Sequence, residues 1–409
     1  MPEARRAGTR GPRRPCARAA RCGAVLAFLL GLALLSAAPA LAQADATDEF
    51  IRAQMESQNI PGLSLAVLVD GEIVKAAGYG VADIEGGTPA TPGTVYKIAS
   101  VSKQFIASGV MLLVQDGRLA LDDPIARYLE GTPEAWSGIT IRHLLTHTAG
   151  LIREGPGFDP SSVRSDAEVI RSAHGRPLLF APGEGAEYSN LGYFALAEII
   201  RVASGRPWPE FLEARIFAPL GMRSTHPTNT GEPIAGRATG YTDNDRLIPG
   251  EEWPALRPSG AFLSTVLDLA KWDAALHADD ILADSTRRAM WTPGTLEDGS
   301  RHPWGFGWQL GELRGHRLVH HTGGMNGFRS GFARFVDDGL SVIVLMNLDD
   351  VDIGSILLGV ASLWLPPATS SPPPGSLAGR VSRRARPRPP PRGPGRTGAG
   401  GCRAPSRSP

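Results

Sequence analysis

TVYKIASVSKQF, residues 94–105, holds two of only four lysines in a chain of 409 residues whose other 38 basic side chains are all arginine. A guanidinium stays protonated at any physiological pH, whereas burial or a neighbouring cation can push an ammonium toward a neutral, proton-accepting form. A lysine in so arginine-rich a chain therefore marks a place where proton exchange is useful. Lys103 follows Ser100 by three residues, and on a helix i and i+3 share a face, so Oγ and Nζ can meet. The other three lysines have Glu72, Thr94 and Asp268 at that spacing. The helix carrying the pair is expected from about Ala99 to Gln115, ended by Asp116-Gly117.

Outward from this segment the pattern changes from helical to extended. LSLAVLVDGEIVKAAGYG (63–80) reads as two strands joined at Asp70-Gly71, because an Asp-Gly pair supplies the positive φ angles of a tight hairpin. Far along the chain, RLVHHTGG (317–324) and SGFARFVDDGLSVIVLMN (330–347) are again strand-like, the latter turning at Asp338-Gly339. ATDEFIRAQMESQ (46–58) and IGSILLGVASLWL (353–365) read as helices that open and close this body. Between the two strand groups, residues 120–225 are mostly helices and Pro/Gly-punctuated loops. Strands at both ends with helices between imply an α+β fold, one sheet built from the two chain termini around a helical insertion at about 96–230.

Charge is distributed unevenly. Residues 1–42 carry seven Arg against Glu3, and residues 366–409 carry nine Arg and no acid, while 43–365 hold 26 basic and 40 acidic side chains, a net of −14. An acidic body repels phosphate backbones, which disfavours nucleic acid as a partner. The first 42 residues combine an Arg-rich start, the apolar run AVLAFLLGLALLSAA and a small-x-small site at Ala40 to Ala42. That composition is expected for a cleaved signal peptide and hence for an exported, periplasmic or secreted protein with no stable membrane span after cleavage. Residues 366–409, rich in Pro, Arg and Gly, are expected to form a disordered tail. Cys16, Cys22 and Cys402 all lie in these flanks, so the body has no thiol nucleophile and no cysteine-bound metal.

Two further stretches complete a chemical set. EGAEYSNLGYFALAEII (184–200) places Tyr188 and Asn190 just before an apolar helix, and VHHTGGMNGF (319–328) places His321, Thr322, Gly323 and Gly324 in an extended run. Together the three stretches supply a nucleophile, a lysine, a phenol, an amide and a glycine-lined strand edge. His143 and His147 stand at i, i+4, as zinc ligands can, but no Glu follows His143 and no third ligand is evident, so no metal or cofactor is expected. His147 to Gly150 repeats the His-Thr-x-Gly pattern, but it precedes the Tyr-x-Asn stretch and follows no strand. No G-x-S-x-G occurs, which argues against an α/β-hydrolase.

In this order, S-x-x-K at Ser100, Y-x-N at Tyr188 and H-x-G at His321, the chain resembles the serine β-lactamase and penicillin-binding-protein superfamily. It is most similar to the branch of class C β-lactamases, D-aminopeptidases and β-lactamase-fold esterases. HLLTHTAGL (143–151) and FAPLGM (217–222) also resemble family stretches. The resemblance implies a β-lactamase-like fold over the whole body, mainly antiparallel sheet flanked by helices. It also implies an acyl-enzyme on Ser100, Tyr188 beside Lys103 as the base, Asn190 holding Lys103 or a substrate amide, and an oxyanion site from the N–H groups of Ser100 and Gly324. As base, Tyr188 would need its pKa lowered by about three units from its reference value near 10. The family commonly has lysine where His321 stands. A histidine, only fractionally charged at neutral pH, favours neutral esters or peptides recognised at the amino end over β-lactams and D-Ala-terminal peptides. The alternatives carried with this expectation are a true β-lactamase or D,D-carboxypeptidase, and a non-catalytic binder of cell-wall peptide.

Overall fold

The computed structural model describes residues 43–227 and 233–367. The expected signal peptide and nearly all of the expected tail lie outside them. The first helix, α1, covers 43–57. It leads into the hairpin of β1 (Gly62–Val69) and β2 (Glu72–Asp83), and a short β3 (Thr88–Pro89) follows. The turn lies where Asp-Gly predicted it, with Asp70 at φ 51° and Gly71 at φ 80°. Four strands come late in the chain: β4 (Gln309–Leu313), β5 (His316–Met325), β6 (Phe328–Phe335) and β7 (Leu340–Met346).

The seven strands form one sheet in the order β4-β5-β6-β7-β1-β2-β3. All its pairings are antiparallel, and β1 joins β7, so the two chain ends meet in the middle of the sheet. Alternate residues serve two faces, as the pleat requires. Leu63, Leu65 and Val67 of β1 pack with Val342 and Val344 of β7 against α1 and the closing helix, whose Ile356, Leu357 and Val360 are buried. Ala66, Leu68, Phe332, Ile343 and Leu345 face the other way, into a larger apolar core shared with the middle segment.

That second core fixes the position of α2 (Lys103–Gln115), from Lys103 to Leu113 buried throughout. Phe105 lies edge-on to Phe217, stacks near Phe262 and tilts against Trp272. The long α4 (Asn190–Ser204) packs beside it, with the short helix α3 (Ile141–Leu145) against α4, and α5 (Val266–Ala275) covers the sheet near β1 and β7. The closing helix, α6, spans Ile353–Trp364. Among the described residues no helix is long and apolar enough to cross a membrane. Sequence patterning missed three two-stranded ribbons, among them Tyr96–Lys97 with Leu263–Ser264. Two-residue strands carry no periodicity to read.

Candidate active site

The expected helix over 99–115 is two pieces. Ala99–Ser102 is a 3-10 turn, and the α-helix starts at Lys103. Ala99 is buried with φ 44°, a left-handed conformation costly for a residue with a Cβ. The strained turn therefore sits immediately before Ser100. Two contacts hold it: Ser330 Oγ donates to the Ile98 carbonyl at 2.6 Å, and Ile98 N donates to the Phe262 carbonyl at 2.9 Å.

Strand β5 is pressed against this turn. A Cβ at Gly323 would lie 2.5 Å from the Ile98 carbonyl oxygen and 2.9 Å from Ser100 N, so only glycine permits the approach. Strand β4 pairs β5 only from His316 to His320, leaving residues 321–325 without a partner on that side. This free edge, with Ser100, Tyr188 and Trp304, lines a cleft of about 590 Å³. His321, Thr322, Gly323 and Gly324 all line it, as their grouping in the sequence implied.

Lys103 is 0% exposed. Its Nζ donates to the Ser259 carbonyl at 2.6 Å and to Asn190 Oδ1 at 2.7 Å, and lies 3.3 Å from Ser100 Oγ. No carboxylate among the described residues pairs with it within 4 Å, and burial, only partly opposed by the Glu154 charge, holds its pKa well below the ordinary lysine value. A neutral amine has two protons and one lone pair. The two short contacts go to obligate acceptors, so the third position on the nitrogen faces the serine hydroxyl, which accepts from the ammonium or donates to the lone pair of the neutral amine. Asn190, the first residue of α4, is thus a holder of Lys103, and its Nδ2 donates to Glu154.

The stretch around His147 supports the other side of the site. His147 adopts φ 60°, and its Nδ1 accepts from Ser189 N at 3.1 Å, while its carbonyl accepts from Glu187 N. The Arg153 carbonyl accepts from the N–H groups of Asn190 and Leu191. The loop 147–154 is therefore laid along the start of α4, and the His147 ring backs Tyr188 at 4.6 Å. His143 does different work, accepting from Thr140 N to cap α3. The i, i+4 histidines are parts of the scaffold.

Tyr188 overturns one expectation. Burial outweighs the nearby Arg153 cation and raises its pKa well above the ordinary phenol value, the opposite of the expected fall. Its ring centroid lies 4.8 Å from Lys103 Nζ and 5.0 Å from the Arg153 guanidinium carbon, and it packs on His147 and Trp304. Aromatic walls remove the water that would stabilise a phenolate. The Tyr188 hydroxyl is buried, with the Ser100 side chain close enough to work against the rise.

His321 is also more decided than its residue type implied. Burial, with Lys103 nearby, lowers its pKa to about 3, so the ring is neutral throughout the physiological range. Its Nδ1 lies 2.7 Å from the Thr322 carbonyl, an acceptor, so Nδ1 carries the proton and Nε2 presents a lone pair. That Nε2 has no partner among the described residues. Ser259, Glu154, Arg153 and Trp304 escaped sequence reasoning, because the last three lie on loops and Ser259 on the four-residue helix Arg257–Gly260, too short to show a period.

The Beta-lactamase family profile matches residues 47–353. Penicillin-binding protein 4* of Bacillus subtilis (strain 168) is 31% identical over 68% of this chain and 66% of its own length. A D-aminopeptidase of Gluconobacter oxydans (strain 621H) is 29% identical over 79% of this chain and 63% of its own. The chain thus spans a little under two thirds of the length of these relatives. Among solved structures, D-amino acid amidase from Ochrobactrum anthropi SV3, in complex with L-phenylalanine amide, superposes with a TM-score of 0.66. It is 29% identical over 79% of this chain and 95% of the amidase.

Proposed function

Because the chain belongs to the beta-lactamase family, a family of serine hydrolases, we propose that it cleaves an ester or amide bond through an acyl-enzyme on Ser100. The observation that carries this is Lys103: fully buried, without a carboxylate partner, and 3.3 Å from Ser100 Oγ. Burial that lowers the pKa of an amine so placed favours its proton-accepting form.

In the proposed cycle Ser100 Oγ attacks the substrate carbonyl carbon while its proton passes to Lys103 Nζ. The developing oxyanion is held by the N–H groups of Ser100 and Gly324, each such donor contributing about 3 kcal/mol in comparable sites. The proton then goes from Lys103, by way of the neutral Tyr188 hydroxyl, to the leaving oxygen or nitrogen as its bond to the acyl carbon breaks. Water repeats the sequence on the acyl-enzyme and releases the acid. Tyr188 serves here as a neutral relay, in keeping with its raised pKa.

The substrate is a small ester or a short peptide or amide laid along the free edge of β5. The D-aminopeptidase and D-amino acid amidase likenesses favour amides, and the neutral His321 removes a permanent cation that would grip a carboxylate on the leaving group. Export as a periplasmic or secreted protein belongs to the same proposal and rests on the composition of residues 1–42. The test is turnover of a panel of chromogenic esters, D-aminoacyl anilides and a cephalosporin by the wild type and Ser100→Ala. Turnover of an ester or anilide that is lost in the variant is expected, and activity retained by Ser100→Ala would refute the mechanism.

A further inference from the structure

The cleft contains a cation that the proposed cycle does not use. Arg329 stands opposite Gly324 in the β5–β6 register, and both residues line the cleft. Its guanidinium folds across the glycine: a Cβ at position 324 would lie 2.9 Å from Nη1 and 3.1 Å from Cζ. Nη1 donates to the carbonyls of Phe328 at 3.1 Å and Met325 at 3.5 Å. Among the described residues Nε and Nη2 have no hydrogen-bond partner, and neither is sealed from solvent. No carboxylate among the described residues pairs with Arg329 within 4 Å. Asp349 and Asp350 are near enough to act on the guanidinium through their charge without pairing with it, and Asp349 Oδ2 accepts from Gly327 N at 3.0 Å.

This contrasts with the other arginines held in the fold. Arg334 is paired with Asp273, Arg257 with Asp166 and Arg237 with Glu252. A half-buried guanidinium facing a cleft with two donor groups unused is a fork for a planar anion. Arg153, the cleft's other arginine, lies against the Tyr188 ring instead.

The direction of the substrate follows from the chemistry. The leaving group must end beside the proton carriers Lys103 and Tyr188. The acyl portion, anchored by its carbonyl at Ser100 and Gly324, therefore runs along the free edge of β5 toward Met325 and Asn326. A group on its end reaches Arg329 around that edge, since Arg329 lies with Gly331 on the face of the sheet opposite Ser330 and the Ser100 turn. We propose that Arg329 is a specificity-determining residue that binds a carboxylate carried on the acyl portion of the substrate, beyond the scissile carbonyl. This rests on the reading of Ser100 as the nucleophile. It also separates the two ends of the substrate: anion recognition is given up at His321 and supplied at Arg329.

The test uses two fluorophosphonates that differ only in the end of the alkyl chain, one a methyl and one a carboxylate. In each, a Ser100 Oγ–P bond forms, the P–F bond breaks, and the serine proton passes to Lys103 as fluoride leaves. Labelling rates are followed by intact mass for the wild type, Arg329→Gln and Arg329→Lys. The quantity compared is the ratio of the carboxylate probe's rate to the methyl probe's, which cancels any general loss of reactivity. The ratio should fall about tenfold or more in Arg329→Gln, the worth of one charge-assisted pair, and be partly restored in Arg329→Lys. The wild-type ratio should also decline with salt. Labelling with the same ratio in all three proteins would overturn the role of Arg329 while leaving Ser100 intact. Absence of labelling by either probe in the wild type would overturn both.

Discussion

Lys97 and Lys103 are six residues apart, both buried, and put to opposite uses. Lys97 is 1% exposed, and its Nζ contacts the carboxylate of Glu252, which is 54% exposed and shared with Arg237. It is a structural cation tying the Tyr96–Lys97 ribbon to the loop that carries Trp253 into the cleft. Lys103 has neutral acceptors where Lys97 has a carboxylate. Burial lowers the pKa of both, but at Lys97 the Glu252 charge works against the fall, and at Lys103 the opposing Glu154 charge acts from behind Asn190. A buried lysine becomes reactive when burial comes without a directly paired anion.

That contrast is broken most sharply by arginine. Lys103→Arg conserves charge but cannot exchange the proton, so kcat/KM should drop by more than about a hundredfold. Lys97→Arg keeps a cation against Glu252 and should stay near wild type. Steady-state kinetics of the two variants decide it, and equal losses would mean that the two lysines are not distinguished by chemistry.

His321→Lys asks whether the strand edge next to Lys103 tolerates a second cation. The ratio of kcat/KM for a substrate with a carboxylate on its leaving group to that for the neutral counterpart should rise about 5- to 30-fold. That corresponds to about 1 to 2 kcal/mol for a partly solvated pair. An unchanged ratio would place the His321 side chain away from the leaving group.

Lys97→Met should leave catalysis nearly intact but lower stability by about 1 to 2 kcal/mol, below the cost for a wholly buried pair because Glu252 is half exposed and keeps Arg237. Denaturant unfolding measures this. Adding Glu252→Gln should cost less than the two single changes together.

The smallest effect concerns pH. With its pKa lowered to about 3, His321 is neutral above pH 5, so the pH–rate profile between 5 and 8 should contain no step that His321→Gln removes. A step near the ordinary histidine value of about 6.5 that vanishes in the variant would mean that the ring is solvated and titrating.

Much of this arrangement could be read from local sequence. Asp70-Gly71 set the first hairpin, and the Ser100–Lys103 spacing, Tyr188 before an apolar helix and His321 in an extended run marked the site. Spacing reports proximity and residue type, and neither depends on the rest of the chain. Electrostatic state does depend on it. The raised pKa of Tyr188 comes from a wall built by His147 and Trp304, residues 41 earlier and 116 later. The lowered pKa of Lys103 comes from burial among residues distant in the chain, Asn190 and Ser259 standing 87 and 156 residues away. Arg329 was within reach, because the Asn326-Gly327 turn in VHHTGGMNGF puts residue 329 opposite Gly324 once the hairpin register is drawn.

The pH dependence of covalent labelling of Ser100 by a fluorophosphonate tests the central claim most directly, since it reports the base without requiring the substrate. The neutral, buried Lys103 predicts one label per wild-type chain, none in Ser100→Ala, and a rate that falls only at a pH well below the ordinary lysine value of about 10.4. In Lys103→Arg the label should form at least about a hundredfold more slowly at neutral pH. A wild-type rate that climbs through pH 10.4, or an unslowed Lys103→Arg, would contradict Lys103 as the group that takes the serine proton.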